Sequence, residues 1–249
     1  MPAFAWLAAV SAASLNLCSD ELVLAIAEPE QIVSVTHLAQ DPLESRLWRQ
    51  ARPYPRNDGS LLSIATLRPD IVVTMGGGVR DQQRIASRLG TRLITLPYPQ
   101  SLDGVQSNIR TVARALGRTQ AGEVLVRRMT ALRSTAPKRQ VDAIWLGGGG
   151  RTVPAAGLQA QWMRLAGLRQ RQVQEDRVSL ETLLAAPPAI LLRSDYRSGQ
   201  YSAAQRWLRH PLARRAKGGR TIATDGRSWT CMGPALIDEI IRLRREVGR

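Results

Sequence analysis

One passage of this chain is written twice. Leu62-Ser63-Ile64-Ala65-Thr66-Leu67 leads through Pro69 into the apolar run Ile71-Val72-Val73, and Val178-Ser179-Leu180-Glu181-Thr182-Leu183 leads through Pro188 into Ile190-Leu191-Leu192. In each copy a helical segment feeds a Pro-led strand, with Ser and Thr at matched positions. The second copy carries three extra residues before its strand, close to one helical turn. A helix–strand unit that recurs once in each half of a 249-residue chain predicts two related lobes, each built on the same layered plan.

The rest of the hydrophobic pattern agrees. Short apolar runs that read as buried parallel strands occur at Ala12–Leu17, Gln31–Val35, Asp70–Met75 and Arg92–Leu96, and again at Val141–Leu146, Ala189–Arg193 and Thr221–Thr224. Helical stretches at Glu21–Ala27 and Asp81–Leu89 alternate with the first set. Those at Ala155–Ala166, Leu180–Ala186 and Ala203–Leu208 alternate with the second, and a last helix runs from Pro234 to Arg245. Residues 101–135 carry no strand signal. Ser101 can cap a helix with Val105, Ile109, Val112 and Leu116 on its apolar stripe, and Gly117 ends it. Thr119 can cap a second, with Ala121, Leu125, Met129 and Leu132. The expected organisation is an N-terminal α/β lobe over 1–118, a connecting helix over 119–136 and a C-terminal α/β lobe over 137–249.

Composition narrows the functional class. The net charge of +15 comes almost wholly from arginine. It raises two readings: an anionic partner such as nucleic acid or a charged surface, or arginines scattered over solvated helix faces. The densest stretch, Arg206 to Arg220, includes Arg215 and Lys217 and has only Trp207 as an interleaved aromatic, a poor platform for single strands. With two histidines, His37 and His210, and two cysteines, Cys18 and Cys231, all far apart, neither a transition-metal site nor a Ser–His–Asp set is expected. No Gly-Lys-Ser/Thr follows the glycine runs, so neither is a P-loop. An enzyme is therefore not expected. No run of eighteen apolar residues occurs. Residues 2–14 are apolar and small, readable as part of a secretory signal or as the approach to the first strand.

In an open parallel sheet, ligands sit beyond the carboxyl ends of the strands. Those ends hold Cys18 and Ser19, His37 and Gln40, Gly77 of Gly76–Gly78, Tyr98, Gly149 and Arg151, Tyr196 and Arg197, and Trp229 with Cys231. The glycines are open to two readings, close approach of a backbone to a bulky ligand or a loose turn. The cysteines are open to three: ligand contacts, a disulfide latch, or inert buried thiols.

Ser14-Leu15-Asn16-Leu17-Cys18-Ser19-Asp20-Glu21-Leu22, the Leu67-Arg68-Pro69-Asp70-Ile71-Val72-Val73 junction, Leu180–Leu192 and Ser228-Trp229-Thr230-Cys231-Met232-Gly233-Pro234 together resemble the substrate-binding proteins of ABC importers, in the branch for cobalamin and ferric-siderophore-type chelates. The resemblance covers about residues 14–247. It implies two Rossmann-like lobes joined by a long rigid helix, with the ligand in a cleft between the lobes and little hinge motion. It implies an extracytoplasmic monomeric receptor for a corrinoid, ferric siderophore or heme-like chelate, working with an ABC permease and its ATPase and carrying no cofactor of its own. His37, Tyr98, Tyr196 and Trp229 would then contact the chelate, and Arg151 and Arg197 its anionic groups. Asp81 and Glu181 would dock the permease, although both also fit helix N-terminal charges. The alternative expectation is a basic protein for nucleic acid or an anionic surface.

Overall fold

A computed structural model describes residues 10–77, 79–197, 202–214 and 219–248. Residues 2–9, Gly78, Arg215 and Lys217, which entered the sequence reading, lie outside the described residues. By compactness the chain divides into two units, one holding the residues through Tyr98 plus Ser107–Leu125, the other Pro99–Gln106 plus the residues from Val126 onward.

The first unit carries β1 (Ala12–Ser14), β2 (Ile32–Thr36), β3 (Arg56–Asn57), β4 (Ile71–Met75) and β5 (Arg92–Leu96), with helices α1 (Leu17–Ile26), α2 (Trp48–Ala51) and α3 (Val79–Arg88). Helices α4 (Leu102–Ala115) and α5 (Thr119–Ser134) contribute to both units. The second carries β6 (Val141–Leu146), β7 (Leu168–Gln170), β8 (Ile190–Ser194) and β9 (Arg220–Thr224). Its helices are α6 (Leu158–Leu165), α7 (Leu180–Ala185), α8 (Ala203–Arg209), α9 (Pro211–Arg214), α10 (Ser228–Cys231) and α11 (Leu236–Val247).

Both sheets are parallel throughout, in the orders β3-β2-β1-β4-β5 and β7-β6-β8-β9. Without the edge strand β3 the two orders coincide: the second strand lies beside the first, followed by the third and fourth. The repeated passage falls at equivalent places. The 3-10 helix Leu62–Leu67 feeds β4, and α7 feeds β8, the third strand of each shared order. The strand order reverses beside β1 in one sheet and beside β6 in the other, and such reversals leave a crevice at the carboxyl edge.

Every residue of β4 is buried, as a central parallel strand covered on both faces must be. Ala13, Leu15, Leu61, Ile64, Val72, Ala86 and Leu93 form one core cluster of the first unit, and Ile144, Leu146, Val178, Leu183, Leu191, Leu208 and Ala213 one of the second. The predicted α4 stripe of Val105, Ile109, Val112 and Leu116 is buried. Ser101 Oγ accepts from Gly104 N at 3.1 Å, and past Gly117 the Arg118 N–H returns to Ala113 O at 2.7 Å, closing the helix end. On α5, Met129 and Leu132 are buried as expected, but Val126 replaces Leu125 in the deepest row.

Two expectations change. The first strand stops at Ser14 and Leu17 opens α1. Asn16 causes the switch: its Oδ1 accepts from Ser19 N at 3.0 Å while Ser19 Oγ accepts from Asn16 N at 3.2 Å, a reciprocal cap. Strands β3 and β7 were not expected. They are edge strands of two and three residues with no apolar run, and β3 is held by Asn57, whose Nδ2 donates to Ser14 O at 2.9 Å and Ser34 Oγ at 2.8 Å.

Candidate ligand-binding site

In the first unit the strand ends are tied together by buried polar groups. Asn16 Nδ2 donates to Thr74 Oγ1 at 3.1 Å and to Met75 O at 2.9 Å, fixing the start of α1 against the end of β4 across the strand-order reversal. Asp20, on the first turns of α1, is buried. It accepts from Ser14 Oγ at the end of β1, and from Thr36 Oγ1 and, at 3.0 Å, Thr36 N at the end of β2. Burial pushes its carboxyl up to about 6, against the lowering effect of those hydrogen bonds and of nearby His37. His37 itself is exposed, with Nδ1 3.3 Å from Asn57 O. A carbonyl can only accept, so Nδ1 carries the proton and the neutral ring has its lone pair on Nε2. Ser19 is buried in its own cap, and Gln40 Nε2 donates to Ala51 O at 3.2 Å and Tyr54 O at 2.7 Å, so both hold local backbone.

Both glycine runs have a common explanation that the sequence did not give. A Cβ on Gly76 would lie 2.2 Å from the Tyr98 ring, and one on Gly147 would lie 2.8 Å from the Trp145 ring. The close approach is to the protein's own aromatic side chain in each unit. Gly76 also has φ of +67°, a conformation that favours glycine. Gly77, with φ of +96°, continues the same turn. Tyr98 keeps 61% of its surface exposed.

The second unit holds a cavity of about 960 Å³ at the carboxyl ends of β6, β8 and β9. Arg151, Tyr196, Arg197 and Trp229 from the sequence reading all line it. Ser194, from the same strand-end segment as Tyr196 and Arg197, lines it too, as do Trp145, Thr152, Gln159, Glu175, Asp176 and Arg177, which were not foreseen. Trp145 hides in the strand alternation of β6, and Arg177 lies in a segment with no strand or helix signal. Gly149 lies beside the wall, its carbonyl accepting from Arg177 Nη2 at 3.3 Å. Residues Glu175 and Asp176 both have positive φ, 51° and 49°, a strained turn held down where Thr152 N donates to Asp176 O at 2.9 Å and Val178 N to Gly150 O at 2.8 Å.

The aromatic wall is braced from behind. Trp229 Nε1 donates to Thr224 Oγ1 at 2.7 Å, and Thr224 Oγ1 donates to Glu239 Oε1 at 2.6 Å. Burial opposes ionisation of Glu239, but the bonds from Arg242 and Thr224 hold its carboxyl below the ordinary range, and the same carboxylate raises Arg242. Trp145 meets Trp229 edge to face, ring centroids 6.4 Å apart at 61°. In a second network Trp145 N donates to Gln170 Oε1 at 2.9 Å and Gln170 Nε2 donates to Thr152 Oγ1 at 2.9 Å, pinning β6 and the turn after it. The Trp145 Nε1–H is buried with no hydrogen-bond partner among the described residues. The Arg197 guanidinium lies 5.4 Å from the Tyr196 ring centroid.

Neither cysteine is a free thiol. Cys18 lies in the first turn of α1 and Cys231 at the end of α10, and both are disulfide-bonded. Asp81 is exposed and paired with Arg84 at 2.8 Å. Glu181, exposed in the first turn of α7, has its carboxyl lowered by its own backbone N–H and by the Ser179 hydroxyl. Among the described residues no cluster of His, Cys, Asp and Glu could hold a metal ion.

Two parallel sheets of matching strand order, with the polar and aromatic residues gathered at strand ends, define a protein built to hold a ligand on doubly wound units. The family model for periplasmic binding proteins matches residues 13–221, and the chain belongs to that family. Solved structures agree in fold. The periplasmic heme-binding protein RhuT from Roseiflexus sp. RS-1, in apo form, is 24% identical with a TM-score of 0.69, covering 95% of this chain and 98% of that one. The periplasmic vitamin B12 binding protein BtuF of Vibrio cholerae is 17% identical with a TM-score of 0.66, covering 96% and 97%. The periplasmic heme-binding protein HutB of Vibrio cholerae is 16% identical with a TM-score of 0.70, covering 96% and 99%. No curated protein sequence matches the chain.

Proposed function

We propose that the chain is an extracytoplasmic receptor for a flat metal chelate bearing carboxylates, of the heme kind, which it delivers to an ABC permease and its ATPase. The names of the similar structures supply the candidate ligands, heme and vitamin B12. The cavity of the second unit favours one of them. Its wall pairs the indoles of Trp145 and Trp229 with three guanidinium-bearing residues, Arg151, Arg177 and Arg197. Aromatic faces suit a planar macrocycle, and guanidinium forks suit carboxylates. Heme offers both, whereas the periphery of cobalamin carries neutral amides and a ferric siderophore presents no flat face. This pairing of aromatic wall and arginines is the observation that carries the reading.

In the first unit, His37 and Tyr98 are the proposed contacts to the chelate's metal or face, because an imidazole Nε2 and a phenol both ligate iron(III). The reading assigns binding and no chemistry to the chain. Binding would raise thermal stability by mass action.

The test is a titration of purified protein with hemin, hemin dimethyl ester, cyanocobalamin and a ferric siderophore, followed by absorbance and melting temperature. Hemin should shift its absorbance band and raise the melting temperature, with the dimethyl ester at least tenfold weaker if carboxylates are the handle. A response to cyanocobalamin alone would replace the ligand, and silence with all four would overturn the reading. Delivery is tested by heme uptake into cells carrying a heme-importing permease–ATPase pair, with and without this chain.

A further inference from the structure

The net charge of +15 is not explained by a ligand cavity, and on α3 it is ordered. Arg80, Arg84 and Arg88 recur at every fourth residue and all are exposed, so they form one row along the helix. The opposite side of α3 carries Ala86, fully buried in the core cluster, with Leu89 packed beside it. The row therefore points straight away from the unit. Asp81, the one acid on α3, pairs with Arg84, and the row keeps a surplus of positive charge.

Large aliphatic side chains accompany it. Ile85 on α3 is 38% exposed, and Leu62, on the 3-10 helix Leu62–Leu67, is 74% exposed. Leu61 and Ile64 anchor that 3-10 helix in the same core cluster as Ala86, so both helices cover one face of the sheet. Arginines with no aromatic on the helix are poorly suited to single-stranded nucleic acid, where bases need stacking partners, and a phosphate backbone gives the exposed aliphatics nothing to enter. They match a layer of anionic headgroups over hydrocarbon.

We infer that this face of the first unit docks on an anionic lipid surface through Arg80, Arg84 and Arg88, with Leu62 and Ile85 entering the headgroup layer. A headgroup layer neutralises a row of charges without requiring matched geometry, and among the described residues no helix is long and apolar enough to cross a membrane.

The experiment is cosedimentation of the full chain with vesicles of phosphatidylcholine alone and of phosphatidylcholine with about 30% phosphatidylglycerol, a mixture that supplies the negative surface potential required. The expected result is binding to the anionic vesicles only, reversed by salt, because exposed charges are screened. Reversing Arg80, Arg84 and Arg88 to Glu should weaken binding by more than about a hundredfold, from roughly fivefold per basic residue lost at an anionic surface, with repulsion of the new carboxylates added. Reversing Arg114, Arg127 and Arg245, which are exposed elsewhere, changes net charge equally and should spare most of the binding. Leu62→Ser with Ile85→Ser should weaken it at unchanged charge. Circular dichroism and melting temperature confirm that each variant is folded. Equal loss in the two triple variants would overturn the proposal in favour of diffuse charge. Absence of vesicle binding, or retention of DNA with indifference to vesicles, would overturn it outright.

Discussion

Replacing Asp20 with Asn should remove a pH dependence that the fold carries at its first strand ends. Asp20 is 1% exposed, and its carboxyl stands at about 6 in the folded chain against an ordinary 3.8. Burial is the cause, so the folded state favours the protonated acid. The stabilisation is full below the unfolded value and is lost as pH rises through about 6. A displacement of this size corresponds to about 3 kcal/mol in all, of which about 2 kcal/mol falls between pH 4.5 and pH 8. The Asn variant keeps an oxygen for Thr36 N, and the Ser14 and Thr36 hydroxyls can rotate to accept from its NH₂. It has no proton to lose. Urea unfolding of both proteins across that range isolates the effect, because every other titrating group cancels in the difference. Relative to the variant, the wild type should lose about 2 kcal/mol from acid to alkaline pH, or about 4–8 °C in melting temperature for a chain of this size. A difference that is flat with pH, or that favours the wild type at high pH, would refute the reasoning.

Gly76→Ala should destabilise the chain by about 1–3 kcal/mol through the positive φ and the collision with Tyr98. Adding Tyr98→Ala should recover part of that in a double-mutant cycle, whereas strict additivity would show that the ring is not what the glycine accommodates. Thr224→Val breaks the bridge between Trp229 and Glu239 and should cost about 1–3 kcal/mol by chemical denaturation, with Trp229 fluorescence altered even where the fold is intact. Arg151→Ala should weaken hemin binding about tenfold or more while leaving the dimethyl ester unaffected, measured by absorbance titration.

The architecture was legible in the sequence because its signals are local. A buried parallel strand is an apolar run, and β4, β5, β6 and β8 lie within a residue of the runs that announce them. The repeated passage marks equivalent strands because helix, proline and strand are neighbours along the chain. Where a single polar group decides the conformation the pattern misleads: the apolar residues through Leu17 read as strand, and the Asn16 cap turns them into helix. Strands β3 and β7 leave no apolar run, since an edge strand needs only a partner's hydrogen bonds and not burial on both faces.

Arg151, Tyr196, Arg197 and Trp229 can be picked out as strand-end residues because position after a strand is a property of the chain, and all four line the cavity. What tertiary structure alone decided is what those positions face. The buried Asp20 draws its bonds from Ser14 and Thr36, on two strands that are far apart in sequence and adjacent in the sheet. Tyr98 covers Gly76 because β5 lies beside β4. Arg177 reaches the cavity wall beside the turn at Glu175 and Asp176, whose left-handed backbone no composition announces, and Trp145 reaches it from β6. Apolar periodicity determines which elements form. Which side chains line one pocket depends on how those elements pack, and that is fixed only when the sheets are assembled.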